Sequence, residues 1–271
     1  MLVQDPSAER GSPRVTASED MEKAAAPVGL ILAAGRGTRF VRTGVPPRPK
    51  VLEPLQGKPL VCHVLETLRE AGVKRVIVVV GFGAEQVESV LDSAVEYARQ
   101  DVQLGSGHAV KCALASLPQP EGPVVVMCGD SPLFKTETIR AMLDEQRKTG
   151  AAVVLTSAVV EDPTGYGRIV RDEKGLAQRI VEEKCANAAE RTIKEVNGGA
   201  YVFWGPWLAS NIERMSKNDA GEYNLTDMIR LAVEQGKNVS VVRCEPDEIL
   251  GVNTPDDLVR AEAVLRSRLR H

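Results

Sequence analysis

Between residues 32 and 50 the chain sets glycines and cations at a spacing suited to a polyphosphate. Leu32-Ala33-Ala34-Gly35-Arg36-Gly37-Thr38-Arg39 turns directly out of an apolar run, and Pro49-Lys50 follows shortly beyond it. Gly35 and Gly37 admit backbone conformations closed to other residues and turn successive N–H groups toward an anion. Arg39 and Lys50 would neutralise the charge. The loop lacks the Gly-Lys-Ser or Gly-Lys-Thr of a Walker motif and the third glycine of a dinucleotide fingerprint, so both commoner phosphate loops are disfavoured. A nucleoside triphosphate is the ligand it suits, although a glycine turn after a strand is also an ordinary tight turn.

Asp130 closes another apolar run, Val124 to Cys128, and belongs at the same sheet edge as the glycine loop, where a metal-bound phosphate would lie. It is the first candidate metal ligand, with a turn or helix cap as the plain alternative. Asn253, in Gly251-Val252-Asn253, offers a second oxygen. Mg²⁺ needs few protein oxygens and keeps waters or phosphates for the rest. A second glycine loop, Gln103 to His108, opens a helix, and with Gln100 and Gln103 it can read the edge of a pyrimidine. His108 reads as a packed or capping residue, and His63 and His271 have no visible catalytic partners. Gly165-Tyr166-Gly167-Arg168, Glu182-Glu183-Lys184 and Val196-Asn197-Gly198-Gly199 supply amides and a carboxylate fit for a sugar. Taken singly, these segments are turns, a solvated face and a hairpin.

The elements that must position these groups alternate. Val28 to Ala33 is short, apolar and β-compatible, so the first loop leaves the C-terminal end of a buried parallel strand, where open α/β sheets bind ligands. A helical stripe through Leu60, Val61, Val64, Leu65 and Leu68 precedes a strand at Val76 to Val80. Helices over Gly107 to Leu117 and Thr136 to Lys148 alternate with strands at Val124 to Met127 and Ala152 to Val160. After Asp162 come shorter β-like runs, Gly167 to Val170, Leu176 to Val181 and Glu195 to Trp204, and then two helices. Thr254 and Pro255 mark the start of the last one.

With 271 residues and 43% hydrophobic side chains, one large α/β domain is expected. Residues 1–26, rich in Ser, Pro, Ala and charge, read as a disordered tail with Met21 as a candidate start. Residues 27–271 form the domain, with a nucleotide half at about 27–160 and a sugar half at about 161–271. A net charge of −3 offers no broad basic field for nucleic acid or an anionic membrane. No apolar run reaches the roughly 20 residues of a membrane span, and the N-terminus lacks a signal-peptide core, so a cytoplasmic location is expected. Five scattered cysteines without a Cys-x-x-Cys pair read as reduced thiols.

In order, LAAGRGTR, PKVL, QLGSGHA, GDSPL, DPTGYGRI, VEEK, EVNGGAY, GEYNLTD and GVN resemble the uridylyltransferase half of the bacterial N-acetylglucosamine-1-phosphate uridyltransferases. The resemblance runs from about Val28 to the end. It implies a Rossmann-like, mixed but mostly parallel sheet flanked by helices, and transfer of UMP from UTP to N-acetylglucosamine-1-phosphate with release of pyrophosphate. Leu32, Ala33, Ala34 and Gly35 match backbone contacts to the nucleotide, and Arg39 and Lys50 the catalytic cations. Gln100, Gly105 and Ser106 match readers of uracil, while Gly167, Glu182 and Asn197, with Lys184 beside them, match the sugar site. Asp130 and Asn253 match the Mg²⁺ ligands.

The sequence departs from that family in three ways. The stretch from Arg39 to Lys50 is several residues longer than usual, with Arg42 or Arg48 as candidate helpers of Lys50. The usual Gly-Thr-Gly is Gly105-Ser106-Gly107, and the usual Asn-Thr-Gly is Asn197-Gly198-Gly199. The resemblance also stops where the family's left-handed β-helix would begin, and no hexapeptide repeat is present. Acetyl transfer is therefore expected to lie outside this chain, with a separate acetyltransferase as a candidate partner. A nucleotidyltransferase for another sugar-1-phosphate and a non-catalytic UDP-sugar sensor remain as alternatives.

Overall fold

The computed structural model describes residues 25–37, 40, 48–91, 93, 95–117 and 119–268. Among the described residues the first elements are β1 (Val28–Leu32), a small hairpin of β2 (Pro54–Leu55) and β3 (Lys58–Pro59), and α1 (Leu60–Glu70). Then come β4 (Arg75–Val80), α2 (Ala84–Glu88), β5 (Glu96–Arg99), α3 (Ser106–Ala115), β6 (Pro123–Cys128), α4 (Thr136–Thr149) and β7 (Val153–Val159). The remainder is β8 (Arg168–Arg171), β9 (Ala177–Val181), α5 (Ala188–Arg191), β10 (Glu195–Trp204), α6 (Gly205–Asn211), α7 (Asp227–Glu234), β11 (Val239–Arg243) and α8 (Pro255–Arg268). The expected disordered tail lies almost wholly outside the described residues.

Among the described residues the main sheet runs β11-β7-β10-β6-β1-β4-β5, with β8 on β10 and β9 on β8. Strands β1, β4, β5 and β6 are mutually parallel, as are β7 and β11. β10 lies antiparallel between β6 and β7. The two sequence halves are therefore woven into one sheet, because the longest strand of the second half fills its centre. The expected mixed, mostly parallel, helix-flanked α/β architecture is what the molecule has.

Both faces of the sheet are covered, which is why its strands read as near-continuous Val, Ile and Leu runs. The pleat sends Ile31 into one apolar layer with Leu68, Ile139 and Met142, while Leu30 enters the other with Val110, Leu208 and Ile229. A third cluster, Leu55, Leu60, Leu133, Val252 and Ala261, sits beneath α8. After β10 the chain adds three helices and the edge strand β11 where two helices were expected, because the short, half-buried Val-Ser-Val-Val-Arg run carries little periodic signal. Two earlier elements are as faint. Edge strand β5 carries Glu96 and Arg99 outward, and α2 has only five residues.

Candidate active site

The parallel pairing of β1 with β6 places Leu32 beside Cys128, so both of their loops emerge from one sheet edge. The Gly129 N–H donates to the Leu32 carbonyl at 2.9 Å and locks that adjacency. A cleft of about 330 Å³ opens there. Leu32, Ala34, Gly35, Lys50, Gln100, Gly105, Ser106, Asp130 and Asn253, all expected from sequence, line it. Ala33 is 1% exposed and its N–H donates to the Val79 carbonyl, so it supports the loop from below. Arg39 and Arg42 lie outside the described residues.

Lys50 sits on a single 3₁₀ turn, Lys50–Leu52, and comes within van der Waals distance of the first loop. Gly37 has φ +61°, and a Cβ there would stand 2.6 Å from Lys50 Cβ, so this crossing needs glycine. The Lys50 ammonium donates to Asp130 Oδ2 and, at 2.8 Å, to Asn253 Oδ1. The Asp130 and Asn253 side-chain oxygens thus converge on one cation. The Asn253 Nδ2 donates to the Gly251 carbonyl, which turns Oδ1 toward Lys50. Asp257 accepts the backbone N–H groups of Asn253 and Thr254 at 3.0 and 2.9 Å, and Thr254 Oγ1 accepts the Asp257 N–H in return, at the predicted start of α8. Arg48 donates instead to the buried Glu53 at 2.7 Å. Burial and the nearby Asp130 charge push the Cys128 thiol up to about 12, so it stays protonated beside the cleft.

The second glycine loop is fixed by a strap at residues 222–226. Tyr223 N–H donates to the Leu104 carbonyl, Gly107 N–H to the Tyr223 carbonyl, both at 2.8 Å, and Leu225 N–H to Ser106 Oγ at 3.0 Å. Gln100 Nε2 donates to the Gly105 carbonyl and to His108 Nδ1, whose ring stacks on Tyr223. His108 is thus a packed residue, as read from sequence. Glu222 lines the same cleft. Residues 222–226 belong to the GEYNLTD block, which is the one local signal of this strap in the sequence.

The strap continues to the sugar candidates, because Thr226 Oγ1 donates to Glu182 Oε1 at 3.0 Å. Gly167, Glu182 and Asn197 are brought together. A Cβ on Gly167 would stand 3.6 Å from Glu182 Oε2 and 3.7 Å from Asn197 Cβ, and the Asn197 N–H donates to the Gly167 carbonyl at 2.8 Å. Arg168, buried beneath them, donates to Glu183 at 2.6 Å. That hydrogen bond holds the Glu183 carboxyl below its usual range. Glu183 is therefore an anchor, whereas Lys184 makes no side-chain hydrogen bond or ion pair among the described residues. Asn197 Nδ2 donates to the Tyr201 hydroxyl at 2.7 Å, and burial raises that phenol so that it remains neutral. The Gly198 exchange has a local cause: a Cβ there would meet Thr156 Cβ at 2.8 Å.

The model of the MobA-like NTP transferase domain matches residues 29–237. The chain belongs to this family. It is 45% identical over 242 residues to the bifunctional protein GlmU of Exiguobacterium sibiricum and 43% identical over 242 residues to that of Geobacillus thermodenitrificans. These alignments cover 88% and 89% of this chain but 53% and 52% of those proteins, so the chain spans about half the length of the curated relatives it matches. These relatives agree with the resemblance carried by the sequence blocks. A structure described as a candidate glucose-1-phosphate thymidylyltransferase from Bacillus anthracis superposes with a TM-score of 0.74 at 21% identity, covering 89% of this chain and 96% of that one. Apo UDP-glucose pyrophosphorylase gives a TM-score of 0.74 at 18% identity, covering 90% and 99%. These two likenesses establish the fold.

A divalent metal is typically required by such nucleotidyltransferases. The donor set fits a hard cation: a carboxylate and an amide oxygen face one point of positive charge, with no third acidic, His or Cys partner clustered there among the described residues. That leaves most coordination positions for water or phosphate. No helix among the described residues is long and apolar enough to cross a membrane.

Proposed function

We propose that this MobA-like domain transfers UMP from UTP to N-acetylglucosamine-1-phosphate, giving UDP-N-acetylglucosamine and pyrophosphate in the cytoplasm. The observation that carries this reading is the convergence of Lys50, Asp130 and Asn253 at a cleft lined by both glycine loops. The sequence blocks and the GlmU relatives support the uridine and N-acetylglucosamine specificity. A phosphate oxygen of the sugar-1-phosphate attacks the α-phosphorus of UTP in line, and the bond from that phosphorus to the β-phosphate bridging oxygen breaks. Pyrophosphate leaves with the electron pair. The nucleophile is already an anion, so no general base is needed. Rate comes from positioning and charge neutralisation.

Gly35 and its neighbours would present amides to the phosphates, and Lys50 would supply a mobile positive charge. Gln100, Gly105 and Ser106 would hold the uracil, and Gly167, Glu182 and Asn197 the acetamido sugar. Asp130 and Asn253 would hold Mg²⁺, which supplies Lewis-acid charge neutralisation on the phosphates when bound. The test is pyrophosphate release from UTP and Mg²⁺ across a panel of sugar-1-phosphates, with Asp130→Ala as control. Strong preference for N-acetylglucosamine-1-phosphate, lost in the control, is expected. Release with a different sugar only, or with none, would refute the assignment.

A further inference from the structure

The two oxygens assigned to the metal sit on loops from different parts of the sheet, one after β6 and one before α8. The second of those loops also carries a carboxylate that the proposed chemistry does not use. Glu248 is 2% exposed. Its Oε2 accepts the Lys135 backbone N–H at 2.9 Å and the Thr138 hydroxyl at 2.6 Å. Its Oε1 accepts the Glu245 N–H at 3.2 Å and stands 4.0 Å from the Lys135 ammonium. Helix α4 receives no side-chain cap from its own N-cap residue, Lys135. Glu248 supplies that cap from a distant loop, at the end of the helix that favours an anion.

We infer that Glu248 is a positioning residue that sets the separation of Asp130 and Asn253; this rests on the metal reading of that pair. The geometry is a closed ring. One arm runs from Asp130 to Lys135 and the other from Glu248 to Asn253. The Glu248 carboxylate joins the arms at one end, and the Val252 N–H, donating to the Asp130 carbonyl at 2.8 Å, joins them at the other. Leu133 on the first arm and Val252 on the second are fully buried in one apolar cluster. Arg268, donating to the Leu133 carbonyl at 2.7 Å and paired with Asp247 at 3.1 Å, and the shared apolar cluster also tie the arms. The Glu248 carboxylate fixes the second arm to the start of α4, and without it each arm gains freedom that moves its oxygen relative to the other.

The test is Mn²⁺ binding to the whole protein by electron paramagnetic resonance, beside the Mg²⁺ dependence of pyrophosphate release. Glu248→Ala is expected to weaken Mn²⁺ binding at least tenfold and to raise the Mg²⁺ half-saturation in parallel, with the KM for the sugar phosphate little changed. Glu248→Gln is expected to recover most of the loss, because one amide oxygen can accept from both Lys135 and Thr138. Should Glu248→Ala fail to fold, Thr138→Val removes one of these bonds at constant shape, for an expected two- to fivefold loss. A folded Glu248→Ala variant, or Thr138→Val in its place, that binds Mn²⁺ like the wild type overturns the inference whatever its melting temperature. Asp130→Ala separates the two readings. If it abolishes Mn²⁺ binding while the Glu248 variants do not affect it, only the positioning role fails; if wild-type binding survives Asp130→Ala, the metal reading fails and this inference with it.

Discussion

Replacing Lys50 by methionine should move two measurements in opposite directions. The Lys50 ammonium donates to both Asp130 and Asn253, so a divalent ion reaching that pair must displace it. A hydrogen bond to a charged group contributes about 1.5–3 kcal/mol. Removing that competition should tighten Mn²⁺ binding to the nucleotide-free protein about 10- to 150-fold. Retaining the ammonium nearby would also be costly, since a single and a double positive charge ~4 Å apart repel by about 2 kcal/mol even in water. Turnover should fall in the same variant, by about 10²- to 10³-fold, the scale for loss of one transition-state donor. Methionine keeps the length of the stem, so the Gly37 crossing survives. The assays are Mn²⁺ titration by electron paramagnetic resonance and pyrophosphate release. Unchanged or weaker Mn²⁺ binding in Lys50→Met would refute the competition argument, whatever happens to turnover.

Ser106→Ala removes the acceptor for the Leu225 N–H, so the KM for UTP should rise several-fold, and a wild-type KM would count against a role for the strap in the nucleotide loop. Restoring the family's Asn-Thr-Gly by Gly198→Thr should destabilise the protein by about 1–3 kcal/mol through overpacking against Thr156. Combining it with Thr156→Ala should recover part of that loss in a thermal double-mutant cycle, and strict additivity would contradict the steric account. The Arg171 guanidinium beside Glu195 holds that carboxyl below its ordinary 4.5. Because the folded value is depressed, the stabilisation is present above the unfolded value and is lost as pH falls through the folded one. Glu195→Gln should therefore lower stability at neutral pH and flatten its decline below about pH 4.5 in chemical denaturation.

The parallel core was legible because strands buried on both faces must be apolar throughout and glycine loops must follow them. Val76–Val80 and Val124–Met127 announced themselves in this way, as did the stripe of α1. Edge strand β5 did not, since Glu-Tyr-Ala-Arg carries charge outward and imitates a loop. Glu195–Trp204 was readable as β, but its place between β6 and β7 was not, because that depends on pairings with residues far away in sequence. The site divides along the same line. Asp130 and Asn253 were legible as candidate ligands from their residue types and from the turns that precede helices. The Lys50 contacts, the Glu248 cap and the 222–226 strap are long-range pairings without a local periodic signal. Arg48 was assigned by charge alone, and its partner proved to be a buried glutamate on the neighbouring turn.

The antiparallel passage of β10 through the middle of the sheet also governs how the protein can be made. Until the chain has reached Trp204, β6 and β7 each lack the neighbour that will cover one row of their backbone amides and carbonyls. A fragment ending near residue 160 would therefore leave β6 with one open, Val-rich edge and β7 with no partner strand at all, since its neighbours β10 and β11 both come later, an arrangement prone to association with other chains. Residues 27–160 thus lack, on their own, the strands that complete their sheet. A later segment of the chain acts as the keystone between strands made before it, and any dissection or circular permutation that works must keep residues 195–204 in company with β6, β7 and β8.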